Sequence, residues 1–146
     1  MWKKLILTLT TKNQYVEPNP PASIEQMQEV ESKLRVLLPN DVKELLLELN
    51  GDSFLILSTQ QIIEYNLMTR NIMKDIYEED YQPVEYYLFI AGSGCGDYYG
   101  YGITSFGIKD SDIYMWNHEE ADVKCNFIKV ASNLKELIEL YYTDKL

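Results

Sequence analysis

A chain of 146 residues can bury a core without disulfides or metals, and this length predicts one domain over residues 1–146. Acidic residues outnumber basic ones by 23 to 13, so the net charge is −10. Nucleic acids and anionic membranes are bound through Lys and Arg, and the charge therefore argues against both as direct ligands. It would attract a basic protein partner, although an acidic surface also keeps a protein soluble.

The N-terminal residues and the cysteines indicate a cytoplasmic protein. An apolar run at residues 5–9 follows two lysines, but it is shorter than the apolar region of a signal peptide and no cleavage site follows it. No stretch approaches the roughly 18 apolar residues of a membrane span. Cys95 and Cys125 lack CxxC spacing, so we expect reduced thiols.

The first part of the chain alternates helix signals with breaks. Residues 2–9 fit either a helix or a strand, and the prolines at residues 18–21 exclude a helix there. Ser23 and Gln26 have the spacing of a capping box, and apolar residues at helical spacing follow them. We therefore expect a helix that begins just after Ser23.

A second helix is expected after Pro39, capped by Asn40 or Asp41 and ended by the Asn-Gly pair at residues 50–51. The apolar residues 54–57 predict a short strand. A further helix is expected to begin near Thr59 and to fade in the acidic run at residues 78–80.

The second half of the chain has strand character. Short apolar and aromatic runs are separated by Gly, Asp and Asn, as in a meander of antiparallel strands, and a last helix begins near Ser132. This order predicts an α+β fold with a central, mostly antiparallel sheet flanked by helices: helices first, then a strand meander, then a C-terminal helix. The predicted strands cover residues 86–91, 98–106, 113–116 and 127–131.

The stretch GSGCGDYYGYG, residues 92–102, holds five of the seven glycines. Its spacing matches neither a dinucleotide fingerprint nor a Walker loop, so phosphate binding is disfavoured. Glycines in and before a strand indicate a bulge, a bend or a close approach of two backbones, and Asp97 suits a turn. Tyr98 and Tyr99 should point to opposite faces of the sheet, one against a helix and the other towards a neighbour or solvent.

A thiol site is the chemical alternative for this stretch. His118 is the only histidine, so a Cys95–His118 pair could support nucleophilic catalysis, although a Cys among glycines is more often a small buried residue. Cys95, His118 and Cys125 lack the spacing of metal ligands. We assign no catalytic, cofactor-binding or metal-binding residue, and no cofactor.

Six motifs follow one another along residues 24–142. They are the helix from Ile24 to Leu38–Pro39, VKELL at 42–46, Asn-Gly at 50–51, GCGDYY at 94–99, IYMWNHE at 113–119 and ASNLKEL at 131–137. In this order they resemble the SUKH superfamily, in particular the branch similar to the yeast Smi/Knr cell-wall regulators. Two motifs depart from the family pattern, because Asn117 replaces the usual Asp and glycines stand at residues 100 and 102.

The resemblance implies a single SUKH-like domain over residues 1–146 and a non-enzymatic role. Compact bacterial members similar to this chain are immunity proteins, which bind and neutralise a cognate toxin, often a nuclease. Larger eukaryotic members are regulatory interaction proteins, and this role is the alternative; a small Cys/His enzyme is a further one. The implied partner is a cognate toxin, and the charge suggests that it is basic. The oligomeric state stays open.

The partner-binding residues are expected at the motif positions. Trp116 can also be interpreted as a core residue. His118 can also be interpreted as a structural residue that bonds a backbone group or a carboxylate. Acidic patches at residues 78–80 and 119–122 are further candidates for charge complementarity, or simply solvated loops. The candidate set comprises Asp97, Tyr98, Tyr99, Tyr101, Trp116, Asn117, His118, Glu119 and Glu120.

Overall fold

The computed structural model describes residues 1–77, 87–117 and 127–146. It confirms the predicted α+β class, with four helices first, an antiparallel meander and a C-terminal helix. The elements are α1 (Trp2–Leu9), α2 (Ile24–Leu34), α3 (Asn40–Glu48), α4 (Thr59–Tyr77), β1 (Tyr87–Gly92), β2 (Tyr98–Thr104), β3 (Gly107–Trp116), β4 (Phe127–Ala131) and α5 (Leu134–Tyr142).

The N-terminal segment, which the sequence leaves open between helix and strand, is the helix α1. Trp2 and Ile6 lie one turn apart and are both buried, so the helix has one apolar face. The first turn is held by Glu48 of α3, whose carboxylate accepts hydrogen bonds from the backbone N–H groups of Trp2 and Lys3 at 3.2 and 3.1 Å. A cap from another helix cannot be read from local sequence.

The predicted start of α2 is confirmed, and the predicted cap of α3 is wrong. The Ser23 hydroxyl accepts the Gln26 N–H at 3.1 Å, and the Gln26 side chain accepts the Ser23 N–H at 2.9 Å. In α3, the residue at the N-cap is Pro39, and no side chain caps the helix. Asn40 and Asp41 lie inside the first turn, because Pro39 already has the extended backbone that precedes a helix.

Residues 54–57 do not form the predicted strand and make only an isolated bridge between Ile56 and Ala91. The segment still covers the outer edge of β1, since Leu57 N–H donates to Ile90 at 3.1 Å and Gly92 N–H donates to Leu55 at 2.9 Å. Covering an edge strand blocks its pairing with other chains.

The sheet has the strand order β1-β2-β3-β4, with every neighbouring pair antiparallel. Strand β3 begins at Gly107, well before the predicted start at Ile113. The added residues 109–111 are polar and exposed, so the hydrophobic pattern did not reveal them. The early start of the strand comes from the pairing of Gly107 and Ile108 with Thr104 and Ile103 of β2.

Asn66 fastens α4 to β1. Its side-chain amide donates to the backbone C=O of Phe89 at 2.8 Å and accepts the Phe89 N–H at 2.9 Å, and Asn66 itself is fully buried. The register between β1 and β2 shifts just after Phe89. A buried backbone group without a partner costs about 1–3 kcal/mol, so this bidentate contact stabilises the irregular strand.

Both faces of the sheet are packed. Tyr99 and Tyr101 lie on the face that forms the main core, whereas Phe89 and Trp116 form a second cluster with Tyr98 at its edge. Tyr98 and Tyr99 therefore point to opposite faces, as predicted. Tyr99 packs against Tyr141 of α5 at 6.0 Å between ring centroids, and Tyr98 faces its neighbour Trp116 at 6.2 Å, as predicted. Tyr98 in addition contacts Tyr65 of α4 at 5.8 Å, which the sequence does not predict.

Gly100 allows a close approach of two backbones, one of the roles predicted for the glycine stretch. A Cβ atom at this position would lie 2.1 Å from the carbonyl oxygen of Leu88 and 2.8 Å from the Cα of Phe89. At Gly102 a Cβ would meet only the Lys109 side chain, at an ordinary 3.7 Å. A side chain at position 100 would therefore displace β1, whereas one at position 102 would fit.

We expect Gly100→Ala to lower the free energy of unfolding by at least about 1–3 kcal/mol, because the added methyl displaces the β1 backbone. Gly102→Ala is the matched control and should leave stability unchanged or raise it slightly, since Ala restricts the unfolded chain. Urea unfolding of both variants measures this. Equal stabilities would contradict the close approach.

Tyr99 should make stability sensitive to alkaline pH. Burial, followed by the neighbouring Tyr141 and Asp97, raises the pKa of Tyr99 from 10.0 to about 12. The folded state thus favours the neutral phenol; this contribution is complete below pH 10 and is lost as the pH rises through about 12. We expect Tyr99→Phe to reduce the fall in unfolding free energy over this range by roughly 1–3 kcal/mol. Urea titrations at several pH values test it, and parallel curves for both proteins would refute it.

Candidate functional site

The loop between β1 and β2 is the tight turn that the glycine stretch predicts. Gly94 and Gly96 have φ values of +82° and +99°, which glycine adopts without strain. The Ser93 N–H donates to the Asp97 carbonyl at 3.0 Å, and the Cys95 N–H donates to the Ser93 hydroxyl at 3.2 Å. The loop exposes the Cys95 thiol and leads into β2.

Beside this loop, a buried carboxylate organises the turn after α3. Asp52 is fully buried, and its Oδ1 accepts the backbone N–H groups of Phe54, Leu55 and Ile56 at 3.0, 2.8 and 2.8 Å. Its Oδ2 accepts the hydroxyl of Tyr142 from α5. These bonds bend residues 54–56 into a turn, which explains why the predicted strand does not form there.

Sequence reasoning did not assign a role to Asp52. The Asn-Gly-Asp-Ser run has a typical turn composition, and an Asp in it is expected to bond nearby N–H groups. Its burial depends on α5, which lies about 90 residues later in the chain, as the separation of the Tyr142 contact shows. No local signal contains that information.

The same turn presents an aromatic side chain at the surface. Ser53 has φ +64°, an uncommon value for a residue other than glycine, and its hydroxyl donates to the Glu17 carbonyl at 2.8 Å. The next residue, Phe54, is 39% exposed. Its ring contacts Tyr141 and Tyr142 at centroid distances of 6.2 and 6.1 Å. Strained backbone that positions an exposed aromatic residue is a frequent feature of binding sites.

Phe54 separates two grooves. The larger, which we call the aromatic groove, has a volume of about 740 Å³. The smaller, which we call the glycine-loop groove, has a volume of about 260 Å³ and lies between α4 and the turn of residues 92–97. The aromatic groove is lined chiefly by Tyr15, Phe54, Tyr99, Tyr141 and Tyr142, with Lys12 and Asp144 among its charged residues.

Three of the candidate residues line these grooves, since Asp97 and Tyr98 border the glycine-loop groove and Tyr99 the aromatic groove. Tyr101 and Trp116 are only 2% and 5% exposed and belong to the core. Partner contact by each of these residues stays a prediction. Asn117 is half-buried at the end of β3, and His118, Glu119 and Glu120 lie outside the described residues, as do Cys125 and the acidic residues 78–80.

The Cys95–His118 hypothesis stays untested for the same reason. Across residues 1–77, 87–117 and 127–146, no three His, Cys, Asp or Glu side chains lie close enough to hold a metal ion. Within the same ranges, every helix is too short or too polar to span a membrane.

Burial is the main cause of the raised pKa values of the tyrosine hydroxyls in the grooves. Burial, and then the nearby Cys95, Asp52 and Asp144, raise the pKa of Tyr141. Burial and Asp52 raise the pKa of Tyr142, and burial and Tyr65 raise that of Tyr98. Each shift favours the neutral phenol, so the grooves offer ring faces and hydroxyl groups near carboxylates.

Comparison with known proteins identifies the family. The model of the SMI1/KNR4 family (SUKH-1) matches residues 21–140, which include α2 to β4, the glycine loop and most of α5. The chain is also similar to the uncharacterized protein YnaB of Bacillus subtilis (strain 168), with 50% identity over 50 residues. That match spans 32% of this chain and 35% of YnaB. From the family match, this chain belongs to the SMI1/KNR4 (SUKH-1) family.

Proposed function

We propose that this protein is an immunity protein that binds and neutralises a cognate toxin of a bacterial polymorphic toxin system. Membership of the SMI1/KNR4 (SUKH-1) family supports a role in binding proteins, since the compact bacterial members that the chain resembles are immunity proteins. In this proposal the protein acts in the cytoplasm, without catalysis and without direct contact to nucleic acid or membrane.

The observation that carries the proposal is the surface around Phe54. A fully buried Asp52 and a left-handed Ser53 hold this ring 39% exposed between two grooves. A ring fixed before binding loses little conformational entropy on association, which is why rigid aromatic residues serve as anchors in interfaces. The surface is thus suited to contact another protein.

The charge of the chain supports a basic toxin as the partner. A nuclease must bind phosphates and therefore tends to carry a positive active site. A neutralising protein with a net charge of −10 would approach such a site quickly and compete with the nucleic acid. A nuclease-type toxin is accordingly the first partner to test.

The proposal is tested by isolating the partner and measuring rescue. We expect tagged protein from its native cells to retain one partner with a toxic C-terminal domain, and co-expression of this protein to restore the growth of cells that express that domain. An unrelated acidic protein of similar size is the control. A partner without toxicity would support the regulatory role instead, and a toxic partner that is not neutralised would refute the proposal.

The acidic patch at residues 119–122 should speed association. We expect Glu119→Gln with Glu120→Gln to lower the association rate with the toxin several-fold at low salt and to weaken its salt dependence, because rim charges steer encounter. The exposed residues Glu25 and Glu44 of α2 and α3 provide the matched control, since Glu25→Gln with Glu44→Gln changes the net charge equally. Stopped-flow or surface-binding kinetics measure the rates. Equal association rates for the two double variants would show that the patch does not speed association with the toxin.

A further inference from the structure

The aromatic groove has walls that meet at steep angles. Tyr141 is nearly perpendicular to Tyr99 and to Tyr142, with interplanar angles of 74° and 82° and centroid distances of 6.0 and 5.6 Å. Phe54 stacks beside Tyr142 with an interplanar angle of 27°. Tyr99 is buried beneath these rings, so a side chain that enters the groove meets Phe54, Tyr141 and Tyr142.

The faces of these rings attract cations. An aromatic ring has a negative face, which attracts a guanidinium or ammonium group within about 6 Å of its centroid. Rings that surround a groove from several sides are the usual arrangement for holding a cationic group. The geometry of this groove therefore favours a positively charged guest over a neutral or an anionic one.

The charged groups around the groove strengthen this preference. Asp144 lines it, the carboxylate of Asp52 lies behind Tyr142, and Asp97 is close enough to raise the pKa of Tyr99. Lys12 is the cationic side chain among the described residues that line the groove, and it is exposed and able to turn towards water. The lining thus carries one carboxylate, Asp144, opposite one ammonium, Lys12, while Asp52 acts only from behind Tyr142.

We propose that the aromatic groove binds an arginine side chain of a basic protein partner. Arginine fits better than lysine, because its planar guanidinium stacks on rings and is less strongly hydrated than an ammonium. In this arrangement the guanidinium lies against Phe54 and the tyrosines, and Asp144 pairs with it from the edge. The identification of the partner as a toxin rests on the proposed function, whereas the preference of the groove for a guanidinium does not.

The first test uses a peptide and needs no toxin. The probe is N-acetyl-Gly-Arg-Gly-amide, and its neutral match carries citrulline, in which an oxygen replaces one guanidinium nitrogen. We expect millimolar binding of the arginine peptide, seen as NMR shifts of the groove tyrosines, and much weaker binding of the citrulline peptide. Equal binding of both peptides, or no shifts at the groove with either, would overturn the proposal.

Two variants that should weaken binding and one that should tighten it locate the site. Phe54→Leu should weaken binding of the arginine peptide by roughly two- to tenfold, the equivalent of one lost cation–π contact. Asp144→Asn should also weaken it, and Asn tolerates the left-handed backbone of Asp144, so the fold is preserved. Lys12→Gln should tighten binding, because it removes a competing cation. Three variants with unchanged affinity would refute the assignment even if the peptide binds.

The same variants in the toxin complex separate this inference from the proposed function. We expect Phe54→Leu and Asp144→Asn to raise the dissociation constant of the complex, while Phe106→Leu, at an exposed ring between β2 and β3 and outside the groove, stays close to the wild type. If the wild-type protein neutralises a toxin and neither substitution weakens the complex, the arginine site is wrong and the immunity function stands. If no toxin binds but the peptide results hold, the proposed function is wrong and the groove preference stands.

Discussion

Asp52, through its side chain and its backbone, holds together three parts of the chain that are far apart in sequence. Its Oδ1 accepts three backbone N–H groups of residues 54–56, its Oδ2 accepts the hydroxyl of Tyr142, and its backbone C=O accepts the Glu17 N–H at 2.9 Å. A buried charge is tolerated only with such a complete set of hydrogen bonds. These bonds set the bend around Phe54 and tie it to Tyr142 of α5, whose apolar face is held separately by the core.

A second constraint acts on the sheet, where the close approach and the hydrogen bonds of the backbone determine which residues fit. Gly100 permits the approach of β1, and Asn66 satisfies the backbone of Phe89 just before the register shifts. Together with the segment at residues 55–57, these contacts fix the outer edge of β1. The glycine loop follows directly from this edge, so the position of the grooves is set by the sheet as well as by the turn at Asp52.

These constraints suggest how a small binding protein of this family obtains a specific surface. The core uses most of the aromatic residues of the glycine stretch, since Tyr99 and Tyr101 are buried. The surface is instead made where the turn of residues 51–54, α5 and the loop after α1 come together around the ring of Phe54. Loops carried by a rigid sheet tolerate changes of sequence without loss of the fold.

The sequence by itself determined the α+β class, the helix start at Ser23, the meander and the opposite directions of Tyr98 and Tyr99, because caps, turns and hydrophobic periods act over a few residues. The ordered motifs of the sequence also indicated the family, which the family match confirms. Only the tertiary structure decided that residues 54–57 make an isolated bridge to β1 and no strand, that Glu48 caps α1 and that Tyr98 meets α4. The aromatic groove likewise joins Tyr15, Phe54 and Tyr141, which no local pattern relates. Such features depend on contacts between distant segments, and those contacts exist only once the chain has folded.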